Sequence, residues 1–160
     1  MTGSFEEGAT LRTIRRILLF VLLLGMLGTA TELLFQRHFE EPVQLIPLVL
    51  IAVALWATLW HMLRRGPGSL LVLQITMVLF IAAGVLGMYL HYGANVAFQR
   101  EVDPSLGGLD LFWKAMAAKA PPALAPGSMA QLGLIGLAYS YRHPAIVGAS
   151  DRRDNEESVT

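Results

Sequence analysis

The run GPGSLLVLQITMVLFIAAGVLGMYLHYGANVAFQ, Gly66 to Gln99, contains no Lys, Arg, Asp or Glu. About 20 predominantly apolar residues suffice for a helix to cross a bilayer. The first part of this run, about residues 69–92, meets that length. Its last part turns polar at His91, Asn95 and Gln99, and Glu101 and Asp103 follow. The run therefore reads as a membrane helix whose far end reaches water.

The rest of the chain agrees with that solvent. Of 160 residues, 54% are hydrophobic and 15% are charged, where soluble domains carry about 25% charged residues. A soluble fold of this length has too little interior for that much apolar surface. The formal net charge is zero, which leaves no bulk electrostatic attraction for nucleic acid. There is no cysteine, so disulfides, thiolate metal sites, cysteine nucleophiles and covalent haem attachment through CxxCH are excluded.

Three further apolar segments stand beside the first. The predicted spans are about 17–36, broken only by Glu32, then 43–63, 69–92 and 126–142. Pro121, Pro122 and Pro126 crowd the start of the last, so its helix is expected to begin at Pro126, where a missing N–H costs nothing. That span is short, near the lower limit of about 17 residues for crossing. The expected fold class is an all-α membrane protein with four transmembrane helices. Residues 12–142 form the transmembrane domain, flanked by a disordered N-terminus, 1–11, and a disordered polar tail, 143–160.

Basic residues orient membrane helices. Arg12, Arg15 and Arg16, then Arg64 and Arg65, then Arg142, Arg152 and Arg153 all fall on one side. Arg37, Arg100, Lys114 and Lys119 fall on the other. Both termini are therefore expected in the cytoplasm, with RRGPGS a tight cytoplasmic turn. A competing reading makes span one a signal peptide cut after GTA. Its apolar run continues through Leu33, Leu34 and Phe35, longer than a signal core requires.

Between spans three and four, about residues 106–119, the periodicity is that of an amphipathic helix. Leu109, Phe112, Trp113 and Met116 fall on one face, and Asp110 and Lys114 form an i, i+4 pair. A short tethered helix with a Trp is expected to lie flat at the outer interface or, alternatively, to cap the bundle. Glycine pairs at Gly25/Gly28, Gly84/Gly87 and Gly133/Gly136 mark close helix approaches, read as packing inside one chain in preference to an oligomer contact.

The candidate polar site is external: Glu32, His91, Asn95, Glu101 and Asp103, joined by His38, Glu40 and Glu41 from the first loop. Carboxylate and imidazole suit divalent metals, but no diagnostic ligand spacing appears, so metal binding is left open. A carboxylate within an apolar span marks a functional site by default. Glu32 is shallow, however, and pairing with Arg37, Arg100 or His91 is the plainer reading. His61 and His91 fall at opposite ends of an antiparallel hairpin and cannot share a haem. His143 is able to approach His61. No cofactor is expected.

The segments GMYLHYGANVAFQREVDPSLGGLDLFWKA and PALAPGSMAQLGLIGLAYSYRHP resemble short four-span bacterial inner-membrane proteins of uncharacterised function. The likeness covers about half the chain. It implies a bacterial inner-membrane address, and no activity, cofactor or catalytic residue. The expected function is a non-catalytic accessory or scaffold subunit of a larger membrane assembly. Its partners would be the lipid bilayer and other membrane subunits or a second copy. A small transporter or channel subunit using Glu32, and a membrane enzyme or metal-handling protein using the external cluster, are the alternatives.

Overall fold

The computed structural model describes residues 2–118 and 124–145, with side chains from residue 7. It is helical throughout, with no strand among the described residues. The elements are α1 (Thr2–Phe35), a 3-10 turn (Pro42–Gln44), α2 (Leu45–Arg64), α3 (Pro67–Val102), α4 (Gly108–Met116) and α5 (Ala125–Ser140).

Three of these, α1 from Glu7, α2 with the turn before it, and α3, are long and apolar enough to cross a membrane. Their outward faces carry Phe20, Leu24, Trp56, Leu71, Val78 and Val85, all exposed. Such a surface would aggregate in water and is at home against lipid tails. The fourth expected span corresponds to α5, which has 16 residues. At 1.5 Å per residue it is about 24 Å long, short of the ~30 Å hydrocarbon core.

The N-terminus differs from the sequence reading. Residues 2–11 continue α1 as helix where small and polar composition predicted disorder. Once 12–35 has paid the cost of nucleation, each added residue forms a further backbone bond at little expense in entropy. Of the tail expected to be disordered from residue 143, only residues 143–145 are described; the remainder, and Lys119 with Pro121 and Pro122, lie outside the described residues.

Helix α3 is the hub. It packs most extensively on α5 and next on α2, while α1 packs on α5 and α2. Glycines set the α3–α5 approach. A Cβ on Gly84 would sit 2.6 Å from Pro126 O and 2.8 Å from Ala130 N. One on Gly133 would sit 2.6 Å from Met77 O. Gly136 abuts the Met77 side chain, and Gly25 of α1 abuts Leu132. Five of the six expected glycines, Gly87 included, thus face another helix of the same chain, and Gly28 meets nothing within 4 Å. The contacts run Gly84 to Pro126 and Met77 to Gly136, so α5 is antiparallel to α3. Around this seam Leu22, Met26, Ile51, Leu73, Met77 and Phe80 are fully buried.

Helix α3 also continues unbroken through Gly93 to Val102, as the scarcity of breakers predicts. Helix α4 packs on it through Leu111 and Ala115. The expected apolar stripe points away from α3: Leu109 is 75% and Trp113 64% exposed. The small face seats the helix on the protein, and the large one is offered to the surroundings.

Helices α2 and α1 stop in the same manner. Arg65 ends α2 in left-handed backbone. Arg37 after α1 and Arg142 after α5 have the same sign of φ.

Candidate functional site

The bundle has an acidic end, with Glu32, Glu41, Glu101 and Asp103, and a basic end, with Arg15, Arg64, Arg65 and Arg142. At the acidic end the helices differ in reach. The first turn of α5 lies level with Gly84 and Gly87 of α3, whereas α3 rises four further turns and α1 runs to Phe35. Among the described residues, the space above the start of α5 is left unfilled. It is a cavity of about 830 Å³ between α1, α2, α3 and α5.

Its walls divide by polarity. Leu86, Leu90, Leu124 and Met129 supply apolar surface, with Pro126 at the start of α5. Glu32, Gln36, His38, Glu41, Gln44 and His91 supply polar groups from α1, the following loop and α3. The His38 and His91 rings stack at 6.1 Å with 25° between their planes. Burial and the neighbouring His91 lower the pKa of His38 from its ordinary value. The loop is held by Gln44, whose Oε1 accepts from the N–H of Glu40 (3.0 Å) and of Glu41 (3.2 Å).

The five candidate residues do not form one cluster. Glu32 and His91 line the cavity. Glu32 accepts a hydrogen bond from Gln36 Nε2 at 3.0 Å, so its bonded partner is one turn along its own helix. Asn95 turns to α4, donating from Nδ2 to Ala115 O at 3.1 Å. Glu101 is exposed near the end of α3. Asp103 closes a tight turn, accepting from Ser105 N (3.0 Å) and Ser105 Oγ (2.6 Å). Those two bonds hold its carboxyl below the usual range. Among the described residues, no three His, Asp or Glu side chains converge as metal ligands.

A second polar focus lies at the basic end. His61 is 1% exposed in α2. Its Nδ1 is 3.1 Å from Ser69 Oγ, and Ser69 donates its one hydroxyl hydrogen to Gly66 O at 2.9 Å. Ser69 therefore accepts, Nδ1 carries the proton, and Nε2 is a bare acceptor. That Nε2 is buried without a hydrogen-bond partner among the described residues. The rings of Tyr139 (5.8 Å) and His143 (5.1 Å) pack edge-on against it. His143 Nδ1 accepts from Ala145 N at 3.2 Å. Burial, then His61 and Arg15, push its pKa down to about 4. Arg15 of α1 completes the focus, donating to Tyr141 O (3.3 Å) and Arg142 O (3.0 Å).

The sequence signals for the two foci differ. His38 and Glu41 were visible as loop residues of the right chemistry, and His143 as a neighbour of His61. Ser69 and Tyr139 gave no signal, because a serine after Gly-Pro-Gly and a tyrosine near a span end read as a turn residue and an interface anchor. Compared with known proteins, the chain matches no family model, no curated protein and no solved structure.

Proposed function

We propose that the protein is a non-catalytic accessory subunit of a membrane assembly, and that it binds one amphiphilic molecule in the cavity at its acidic end. The cavity carries this reading. Small-molecule sites fall at roughly 300–1,000 Å³, mostly apolar with a few placed polar groups, and this one has about 830 Å³ with polar groups gathered on one side. An apolar tail against Leu86, Leu90 and Met129, with a head at Glu32 and Glu41, matches that division. Binding is favoured over catalysis because Glu32 is engaged by an amide, Gln36, with no nucleophile and base in hydrogen-bond contact beside it among the described residues.

The same reading has α5 cross the membrane with α1, α2 and α3, both termini in the cytoplasm and the cavity facing outward. Its supports are the antiparallel α3–α5 seam and the eight basic residues assigned to one side by the sequence. The bacterial inner membrane as the location rests on the resemblance of α3 to α5.

Purification in mild detergent followed by native mass spectrometry tests the proposal. A bound amphiphile that is lost when Ala94→Leu narrows the cavity supports it. A wild-type protein that carries no amphiphile, and takes up none when supplied, refutes it.

A further inference from the structure

The charge of the cavity selects among amphiphiles, an inference that rests on the reading above. Among the described residues, the titratable groups lining it are Glu32, His38, Glu41 and His91, with neither Lys nor Arg. Arg37, next to His38 in sequence, is exposed and not part of the wall. With both imidazoles neutral the wall carries two negative charges. The opposing contribution is the start of α5 at the cavity floor, equivalent to about half a positive charge. Two carboxylates outweigh it. Solvent screens an open rim, but apolar walls on the other side reduce that screening.

We propose that the cavity is a site for a single-chain amphiphile with a cationic head, an ammonium or quaternary ammonium group, held between Glu32 and Glu41. The two carboxylates come from different elements, the last turn of α1 and the residue before the 3-10 turn. The short chain 36–41 links them, and the amide of Gln44 fixes it at Glu40 and Glu41. Glu41 thus sits on an anchored loop, and Glu32 is held by Gln36 on its own helix. The tail continues down to Leu86, Leu90 and Met129. Acidification works against the site, because a proton on His38 places a positive charge beside the head.

The test uses the full-length protein in phosphatidylcholine nanodiscs. Three dodecyl amphiphiles, headed by trimethylammonium, phosphocholine or sulfate, are added below their micellar concentrations and binding is read by native mass spectrometry. The trimethylammonium probe should bind about ten-fold tighter than the sulfate probe, the scale of one partly screened charge pair. Glu32→Gln with Glu41→Gln should abolish that preference through weaker binding of the trimethylammonium probe. Both residues are exposed, and an unchanged melting temperature would show that the double variant folds. Equal or tighter binding of the sulfate probe overturns the charge assignment but leaves the cavity as an amphiphile site. Binding of none of the three overturns both.

Discussion

His61 and Ser69 are joined across the turn between α2 and α3, Nδ1 to Oγ at 3.1 Å, with the serine bonded onward to Gly66 O. One hydroxyl thus fixes a buried imidazole's tautomer and ties two helices at their common turn. Ser69→Ala leaves the Nδ1 proton without its acceptor. A buried donor stripped of its partner costs about 1–3 kcal/mol. Thermal unfolding in detergent should show a lower midpoint for Ser69→Ala, and a midpoint equal to wild type would mean the bond contributes nothing.

The glycines of the α3–α5 seam should not tolerate a methyl group. At Gly84 and Gly133 the new Cβ meets backbone atoms at 2.6 Å, and backbone cannot swing aside as a side chain can. Alanine at either position is expected to destabilise by about 1–3 kcal/mol, the usual scale of overpacking. Gly28 is the control, since nothing lies within 4 Å of its Cβ position. Gly28→Ala should be neutral, or stabilising by up to about 1 kcal/mol through helix propensity. Equal losses at all three positions would disprove the seam as described.

Acid should loosen the basic end. His143 has its pKa pushed down to about 4, from 6.5 when unperturbed. Between those values the unfolded chain binds more protons than the folded one, so folding is favoured as pH rises. This contribution is complete above about 6.5 and is lost as pH falls toward 4. His38, also lowered, acts in the same direction, so the informative quantity is a difference. Melting temperatures measured from pH 7.5 to 4.5 should fall less steeply for His143→Gln than for wild type. Parallel curves would show that His143 is not held neutral by its surroundings.

Topology gives a direct check on α5. Reporter fusions after Arg65 and after Thr160 are expected to read cytoplasmic, and one after Ser105 external. A fusion at Thr160 on the same side as the one at Ser105 would mean that α5 does not cross.

Helices α2 and α3 were legible because charge-free runs of this length have few alternatives, and α3 passed through Gly93 because one glycine is a weak breaker. The pairing glycines were legible as small residues, although their partners Met77, Pro126 and Leu132 were not. For α4, periodicity finds the strongest apolar face but cannot say whether protein or lipid covers it. The cavity was beyond sequence reasoning for another reason. It is made by a difference in length between α5 and its neighbours and by the register of Pro126 against Gly84. Neither quantity is a property of any one segment. Glu32 and His91 share the cavity, whereas Asn95, four residues on from His91, donates to Ala115 O.

The three non-glycine residues with left-handed backbone among the described residues, Arg37, Arg65 and Arg142, are all arginines at helix ends. Such backbone costs an L-residue about 1–2 kcal/mol, and glycine would remove the cost. At Arg65 and Arg142 the side chain is also a positive charge of the kind that sets the direction of insertion. In the proposed topology two demands therefore meet at one position and pull apart: the fold would gain from glycine, and insertion would gain from the positive charge. Arg65→Gly should accordingly melt at a higher temperature than wild type once assembled, yet yield a larger fraction of molecules inserted the wrong way round.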